Sequence, residues 1–228
     1  FMNMDIAITS SGVSAMVGMG PLQLKPAGST QFAPVPNVRG FGQTIDTYLD
    51  KGFASAGSWS AGGVVGANGV VVSSDNGASF MAYNAASLNT STEPARYAAF
   101  PSDSVWYVSA GIWPMDDVKV SEHSRRLTSR IVAAPTGHTL LPPRSRSVTD
   151  EPTGYTGAIA KTTDGGATWT NVFTTTDYYF NQISCADENT CIAAAENGDA
   201  SVGYITKDGG ANWSIILTEE ATGPGSSC

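Results

Sequence analysis

The stretch "KTTDGGATWT", residues 161–170, decides the fold of this chain, and a near copy, "ITKDGGANWS", follows at 205–214. Asp-Gly-Gly is turn chemistry, because glycine adopts positive φ without steric cost and an Asp side chain can bond its own backbone two residues on. The segments on either side of the first copy, "GAIAK" and "WTNVF", are typical of strands. Each copy therefore predicts a β-hairpin with a short Asp/Gly loop.

The two copies share one frame, S/T-x-D-x-G-x-x-aromatic, and a third copy upstream has Phe in the aromatic position. A carboxylate in such a loop can accept several backbone N–H bonds, and the aromatic ring can pack across the turn. Three copies in one frame indicate a repeated structural unit rather than three independent hairpins. The frame positions are Ser73, Asp75, Gly77 and Phe80, then Thr162, Asp164, Gly166 and Trp169, then Thr206, Asp208, Gly210 and Trp213.

The pattern resembles the Asp-box, or BNR, repeat of β-propellers. With their preceding strands, the boxes look most like those of the photosystem II assembly (stability) factor family. Sialidases, sortilin ectodomains and some xyloglucanases carry the same box. In all of these proteins the box is a structural turn at the rim of the propeller, so the resemblance implies an all-β propeller and no catalytic role for the box residues.

The spacing of the boxes gives the period of the repeat. Trp213 follows Trp169 by 44 positions, and Trp169 follows Phe80 by 89, close to twice that interval. The blade between them is recovered when the strands are aligned, because "VWYVSAG" (105–111) matches its first part and "YTGAIAKTTDGGATW" (155–169) its second. A period near 45 residues is typical of four-stranded propeller blades.

The N-terminal region fits the same repeat. "ITSSGVSAMVGMG" (8–20) resembles "ISCADENTCIAAAENG" (183–198), and "AGSTQF" (27–32) lies where a box is expected, with its Asp lost. We predict one propeller region over 1–228, with blades at roughly 1–45, 46–92, 93–177 and 178–220 and an insertion at 112–154 within the third blade.

The blade number leaves three alternatives open. Propellers usually have four to eight blades, so four is the lower limit. The chain is a small propeller, a piece of a longer one, or a propeller that a partner closes. The abrupt start at Phe1 favours a piece.

Composition and charge exclude several function classes. Charged residues make up only 14%, and the net charge is −8. An acidic chain with few basic stripes is a poor candidate for binding nucleic acid or an anionic membrane. No apolar run approaches the 18 or more residues of a membrane span, and no signal peptide is visible.

The cysteines and sequons favour an oxidising compartment. Cys185 and Cys191 flank the turn-like "ADENT" and are predicted to form a disulfide, the alternative being two reduced thiols. Cys228 is left over, which suggests an intermolecular bridge. Asn89 and Asn212 begin N-x-S/T sequons. We predict a secreted glycoprotein; a thylakoid lumen, the alternative, would permit the disulfide but not N-glycans.

No catalytic constellation stands out in the sequence. Arg39 and Arg96 do not match the arginine motif that a sialidase would carry, and no pair of carboxylates is singled out for glycoside hydrolysis. His123 and His138 are the two histidines, and both lie in the insertion. We predict no catalytic residue, no metal site and no cofactor.

The insertion is the most individual feature of the chain. Long loops on a rigid repeat scaffold usually carry binding or are disordered. Trp113, Arg125, Arg126 and Arg130 would form an aromatic and basic contact surface, a composition found at binding hot spots. The alternative is a tethered surface loop without a partner.

These observations predict a non-enzymatic extracellular or lumenal propeller that binds a protein or a glycan in an assembly. The first alternative is a photosystem assembly factor of the thylakoid lumen, as the resemblance implies. Against it, the blades show no arginine cluster to match the arginine-lined surface of that family. The second alternative is a glycoside hydrolase of the sialidase or xyloglucanase kind.

Overall fold

The computed structural model describes residues 3–18, 20–113, 154–198 and 200–220. Within these ranges every element of regular structure is an antiparallel β-strand. The strands form four sheets in chain order, and each sheet is one blade of a β-propeller. The predicted fold class, an all-β propeller with four visible blades, is confirmed.

The first two blades precede residue 85. The first consists of β1 (Asn3–Ile8), β2 (Ser14–Gly18), β3 (Gln23–Lys25) and β4 (Ala33–Pro34). The second consists of β5 (Arg39–Gly42), β6 (Asp46–Tyr48), β7 (Gly52–Ala61), β8 (Val64–Ser73) and β9 (Met81–Asn84). Because β5 and β6 both pair with β7, they share the first-strand position of this blade. The second sheet therefore begins at Arg39.

The last two blades follow the same order of strands. The third consists of β10 (Ala95–Ala99), β11 (Trp106–Ile112), β12 (Thr156–Thr162) and β13 (Thr170–Thr175). The fourth consists of β14 (Tyr179–Cys185), β15 (Cys191–Glu196), β16 (Ala200–Thr206) and β17 (Ser214–Glu220). The predicted insertion separates β11 from β12, which nevertheless pair without interruption from Trp106–Thr162 to Ile112–Thr156.

A hydrophobic core lies at each junction between successive blades. Phe53 and Trp59 fill the first junction, Trp106 lies in the second, and Phe180 lies in the third. All four side chains are 2% exposed or less. Burial of one such side chain stabilises the fold by about 1.5–3 kcal/mol, so most of the apolar stabilisation lies between blades.

The central strands of the inner blades are buried on both faces. In β11, Trp106 and Val108 face the second blade, whereas Tyr107 faces the fourth. Successive side chains of a strand point to opposite faces, so a strand packed on both sides has no solvent-facing positions. This explains why "WYVSAGI" lacks the alternation of polar and apolar residues that a one-sided sheet shows.

Candidate functional site

The three box turns share one hydrogen-bond network. Thr162 Oγ1 donates to Asp164 Oδ1 at 2.7 Å and accepts the Gly166 N–H at 3.0 Å. Asp164 also accepts the N–H and the hydroxyl of Thr168, at 2.8 and 2.6 Å. Equivalent bonds form in the other two turns, among Ser73, Asp75, Gly77 and Ser79 and among Thr206, Asp208, Gly210 and Asn212.

These bonds keep the box carboxylates ionised. Those from Thr168 and Thr162 lower the pKa of Asp164 to about 2. Asn212 and then Thr206 lower the pKa of Asp208 in the same way. Burial opposes ionisation of Asp75, but its hydrogen bonds outweigh that effect and its pKa is also lowered. Each box carboxylate therefore acts as an acceptor for backbone and side-chain donors of its own turn.

The glycine that follows the box aspartate by two positions contacts the preceding blade. A Cβ on Gly166 would lie 2.7 Å from the ring of Tyr83, in the second blade, and 2.7 Å from that of Trp106, in its own blade. Gly77 would meet Leu24 at 2.5 Å in the same way, and Gly210 would meet Val172 at 3.1 Å. The box turns therefore lie in close contact at the junctions between blades.

The fourth blade contains the predicted disulfide. Cys185 and Cys191 are register partners on β14 and β15 and are joined by an S–S bond. Both predicted glycan acceptors are exposed, but they differ in their contacts. Asn89 uses its Oδ1 to accept the Ser91 N–H, whereas Asn212 donates its Nδ2 to Asp208. Cys228 lies outside the described residues.

An aromatic cluster lies at the opposite edge of the blades, where the insertion leaves the third blade and returns to it. We call Trp113, Tyr155 and Tyr179 the aromatic platform. The rings of Tyr155 and Tyr179 stack with an interplanar angle of 8° and centroids 6.1 Å apart. The Trp113 ring contacts both at a tilt, with its centroid 6.2 Å from that of Tyr155 and 5.7 Å from that of Tyr179. The two tyrosines are buried, whereas Trp113 is 49% exposed.

Hydrogen bonds hold the two tyrosines of the platform in place. The Tyr155 hydroxyl accepts the Gly198 N–H at 2.7 Å, and the Tyr179 hydroxyl donates to Glu196. Burial, together with this bond to Glu196, raises the pKa of Tyr179 to about 12, so the phenol stays protonated. The Arg96 guanidinium lies 5.0 Å from the centre of the Tyr179 ring, within cation–π distance. The two tyrosines that Trp113 contacts are therefore held in place by their own hydrogen bonds.

A polar groove of about 400 Å³ adjoins the platform. Thr156 follows Tyr155 directly, and Asp177 lies two residues before Tyr179. Hydroxyls and two carboxylates line this groove, and some are already engaged: Thr156 donates to the Thr92 carbonyl and Glu93 accepts the Asn89 N–H. We call it the threonine groove, and its lining residues are Glu93, Thr156, Thr174, Thr175, Thr176 and Asp177.

Of the predicted contact residues, only Trp113 is among the described residues. It joins two tyrosines and an arginine that the sequence analysis did not select. The contact of Trp113 with Tyr155 could have been predicted from the sequence. The two residues flank the insertion, and a loop that leaves and re-enters one strand pair brings its ends together. Tyr179 and Arg96 lie on β14 and β10, and nothing in the sequence indicates that they meet Trp113. Arg125, Arg126 and Arg130 lie outside the described residues.

Two further properties concern the described part of the chain alone. It contains no group of three or more His, Cys, Asp or Glu side chains placed to bind a metal ion. It also contains no helix with the length and hydropathy of a membrane span. Both histidines lie between residues 114 and 153, outside the described ranges.

Solved structures with the same fold include a xyloglucanase of glycoside hydrolase family 74 from Xanthomonas campestris. It has a TM-score of 0.55 and 16% identity, over 93% of this chain and 29% of its own. The chain shares the propeller fold of this enzyme. No protein-family model and no curated protein matches the chain.

Two weaker similarities have TM-scores below 0.5. A family 74 enzyme from Niastella koreensis has a TM-score of 0.48 and 11% identity, over 94% of this chain and 30% of its own. YCF48 bound to a D1 peptide has a TM-score of 0.35 and 12% identity, over 93% of this chain and 67% of its own. The chain spans less than a third of either family 74 enzyme.

Proposed function

We propose that this propeller is a non-enzymatic binding module and that the aromatic platform is its contact surface for a protein partner. The observation that carries the proposal is the half-exposed Trp113 above two buried tyrosines. Trp, Tyr and Arg are the residues enriched at binding hot spots. An indole whose support is already ordered loses little conformational entropy when a partner covers it.

The composition of the surroundings supports a protein partner. The Arg96 guanidinium packs against the Tyr179 and Tyr97 rings, at 5.0 and 5.8 Å from their centres. The adjoining threonine groove supplies hydroxyl and carboxylate groups for a polar rim around the exposed indole. A segment of a partner would cover Trp113 with an apolar side chain and place its polar backbone along the groove.

An oxidising compartment suits this function. The Cys185–Cys191 disulfide joins two adjacent strands of the fourth blade, and such bonds persist in extracellular or lumenal proteins. We propose secretion, with Asn89 as the glycan acceptor, because Asn212 uses its side-chain nitrogen inside a box turn. The intact mass before and after enzymatic deglycosylation checks this assignment.

The threonine groove favours glycoside hydrolysis as a second candidate function. Glu93 and Asp177 both line it, and glycosidases act through two carboxyl groups across a cleft. Turnover of β-glucans or sialosides that disappears in Glu93→Gln would support this candidate.

The proposed function is tested with a peptide library. The folded protein is panned against random peptides, and a glycan array is probed in parallel. Enriched peptides are then titrated against the wild type, Trp113→Ala and the control Val65→Ala, which alters an 86% exposed residue on β8. Loss of a hot-spot side chain costs about 2 kcal/mol, so Trp113→Ala should bind roughly 30-fold more weakly.

The outcomes separate the candidate functions. Peptides that lose affinity with Trp113→Ala and keep it with Val65→Ala support a protein-binding platform. Selective binding to the glycan array, with the same dependence on Trp113, would move the assignment to a glycan. Peptide binding that is indifferent to Trp113 would contradict the platform as the contact surface.

A further inference from the structure

The junction of the second and third blades and that of the third and fourth each end at a box turn, and their positions correspond one to one. In the third box the Gly165 N–H donates to the Ser104 carbonyl, and in the fourth the Gly209 N–H donates to the Asn189 carbonyl, both at 2.9 Å. Each acceptor lies two residues before the strand residue that pairs with the first threonine of its box. Gly165 and Gly209 are therefore equivalent, as are the residues at the same offsets around them.

A lysine fills the junction between the third and fourth blades. The Lys161 ammonium donates to the Gly209 carbonyl at 2.8 Å and lies 5.1 Å from the centre of the Tyr107 ring, within cation–π distance. Burial lowers the pKa of Lys161, and the charges of Glu188 and Asp208 oppose that effect. This junction therefore holds an ammonium group among a carbonyl, an aromatic ring and two carboxylates.

The junction between the second and third blades lacks this lysine. Val72 takes the position of Lys161, because each residue directly precedes the first residue of a box. Valine is shorter and carries no donor, so the Gly165 carbonyl receives no ammonium from the preceding blade. A cleft of about 480 Å³ lies here, and Val72 and Gly165 both line it. We call it the box cleft.

The carboxylates that accompany Lys161 have counterparts at this junction. Asp103 corresponds to Glu188, since each directly precedes the residue whose carbonyl accepts the box N–H. Asp164, in the third box, corresponds to Asp208 in the fourth. Asp103 lines the box cleft. The junction therefore keeps the acidic residues of the lysine site without the lysine.

Aromatic rings also line the box cleft. The Tyr48 hydroxyl donates to the Asp103 carbonyl at 3.2 Å, as the Tyr107 hydroxyl donates to the Glu188 carbonyl at 2.8 Å. Trp106, whose ring centre lies 6.0 Å from that of Tyr48, lines the same cleft. The faces of tyrosine and tryptophan rings attract cations, so the walls suit a positively charged group.

One cation of the chain lies beside the box cleft. The Lys51 ammonium pairs with the Asp103 carboxylate at 3.2 Å, and the two side chains are 55% and 67% exposed. An exposed pair of this kind contributes little free energy. No lysine or arginine is among the described residues that line the cleft. The position of the Lys161 ammonium is therefore not taken by another side chain of the described chain.

We propose that the box cleft binds the ammonium group of a primary aliphatic amine. The ammonium donates to the Gly165 carbonyl and faces the Asp103 carboxylate, as that of Lys161 does with their counterparts. The alkyl chain packs against Val72 and the aromatic rings. The volume of the cleft is that of a small-molecule site. A free amine and a lysine of a partner protein share this chemistry. The site lies at the edge of the blades opposite the aromatic platform and does not depend on it.

A titration followed by NMR tests the site with n-butylamine, which has the alkyl chain and ammonium of a lysine side chain. The signals of the Gly165 amide and the Trp106 indole should shift with n-butylamine and stay in place with n-butanol, which has the same chain without the charge. Equal shifts with the two compounds would show that the cleft accepts any apolar chain. That result, or no shift with the amine, would overturn the proposal.

A lysine substitution places the test in the cleft itself. Val72→Lys supplies the side chain that the fold already holds at Lys161, so added n-butylamine should no longer shift the two signals. The control Thr163→Lys adds the same charge at an exposed box position that is Lys207 in the fourth box, and it should leave binding unchanged. Circular dichroism shows whether the sheets of each variant have formed. Amine binding that survives in folded Val72→Lys would contradict the site.

A second variant tests the charge without filling the cleft. Asp103→Asn keeps the shape of the side chain and should weaken n-butylamine binding about fivefold, the effect of losing one partly exposed ion pair. The control Asp46→Asn removes an exposed carboxylate on β6 that does not line the cleft. Equal affinities of the two variants would overturn the role of Asp103 and with it the proposal.

Two further probes identify the source of the ammonium group. Cadaverine represents a free diamine, and a lysine blocked at both backbone ends represents a partner protein. Tighter binding of cadaverine than of the blocked lysine would support a free amine as the ligand, and the reverse order would support a lysine of a partner. In either case Trp113→Ala should leave the affinity unchanged, so this site and the aromatic platform are tested separately.

Discussion

At the scale of single residues, the side chains of each box turn satisfy the hydrogen-bonding groups of that same turn. In the turn of eight residues that begins at Thr162, the Thr162 hydroxyl and the Asp164 carboxylate hydrogen-bond each other and accept backbone N–H groups of the turn. Ser or Thr can both donate and accept, whereas an ionised Asp only accepts. This division explains why the frame needs a hydroxyl first and a carboxylate two residues later.

The ionised state of Asp164 predicts an acid-dependent stability. Its pKa is about 2 in the folded chain, against an ordinary value of 3.8. A lowered folded pKa stabilises the fold above 3.8, and this stabilisation is lost as the pH falls from 3.8 to about 2. In urea unfolding, the wild type should lose more of its midpoint across this window than Asp164→Asn does. Parallel pH profiles of the two proteins would contradict the prediction.

At the scale of elements, the box links a hairpin to the neighbouring blade. Gly166 has φ of 92°, in the region that favours glycine, and has no room for a Cβ beside Tyr83. Gly63, in the turn between β7 and β8, has nearly the same φ, 88°, but nothing within 4 Å of the Cβ position. Comparing substitutions at Gly166 and Gly63 therefore separates the cost of left-handed backbone from the cost of close contacts at the junction.

We predict that Gly166→Ala destabilises the fold more than Gly63→Ala. Both substitutions place a Cβ in left-handed backbone, which costs roughly 1–2 kcal/mol. Overpacking at the junction adds about 1–3 kcal/mol for Gly166 alone. The free energy of unfolding from urea titrations measures the difference. Equal losses for the two variants would show that the close contacts with Tyr83 and Trp106 add nothing.

At the scale of the whole molecule, each blade packs against its immediate neighbours in sequence. The described strands make their substantial contacts between blades one and two, two and three, and three and four. Stability of such an array is close to a sum of unit and nearest-neighbour contributions. A defect at one junction should therefore remain local.

Hydrogen exchange followed by mass spectrometry tests this locality. Phe180→Ala, in the third junction, should cost about 3–5 kcal/mol and accelerate exchange in the third and fourth blades. Phe53→Ala, in the first junction, should instead affect the first two blades. Uniform acceleration in either variant would show that the propeller unfolds as one unit.

Sequence alone determined the repeat, the sheet class, the box frame and the disulfide pair. These features follow from bonds among residues close in the chain. Asp164 and Thr162 are two positions apart, and Cys185 and Cys191 flank one turn. The break between β11 and β12 was also predictable, because the strand and box patterns resume at Tyr155 after the insertion.

The tertiary structure decided which distant side chains meet. The platform joins Trp113, Tyr155 and Tyr179 from three strand ends, and their proximity depends on how the third blade packs on the fourth. Exposure of Ile6 and Ile192 likewise depends on position in the stack, since their counterparts in other blades are buried. A sequence repeat assigns equivalent positions to a face, and only the packing of blades determines whether that face is covered.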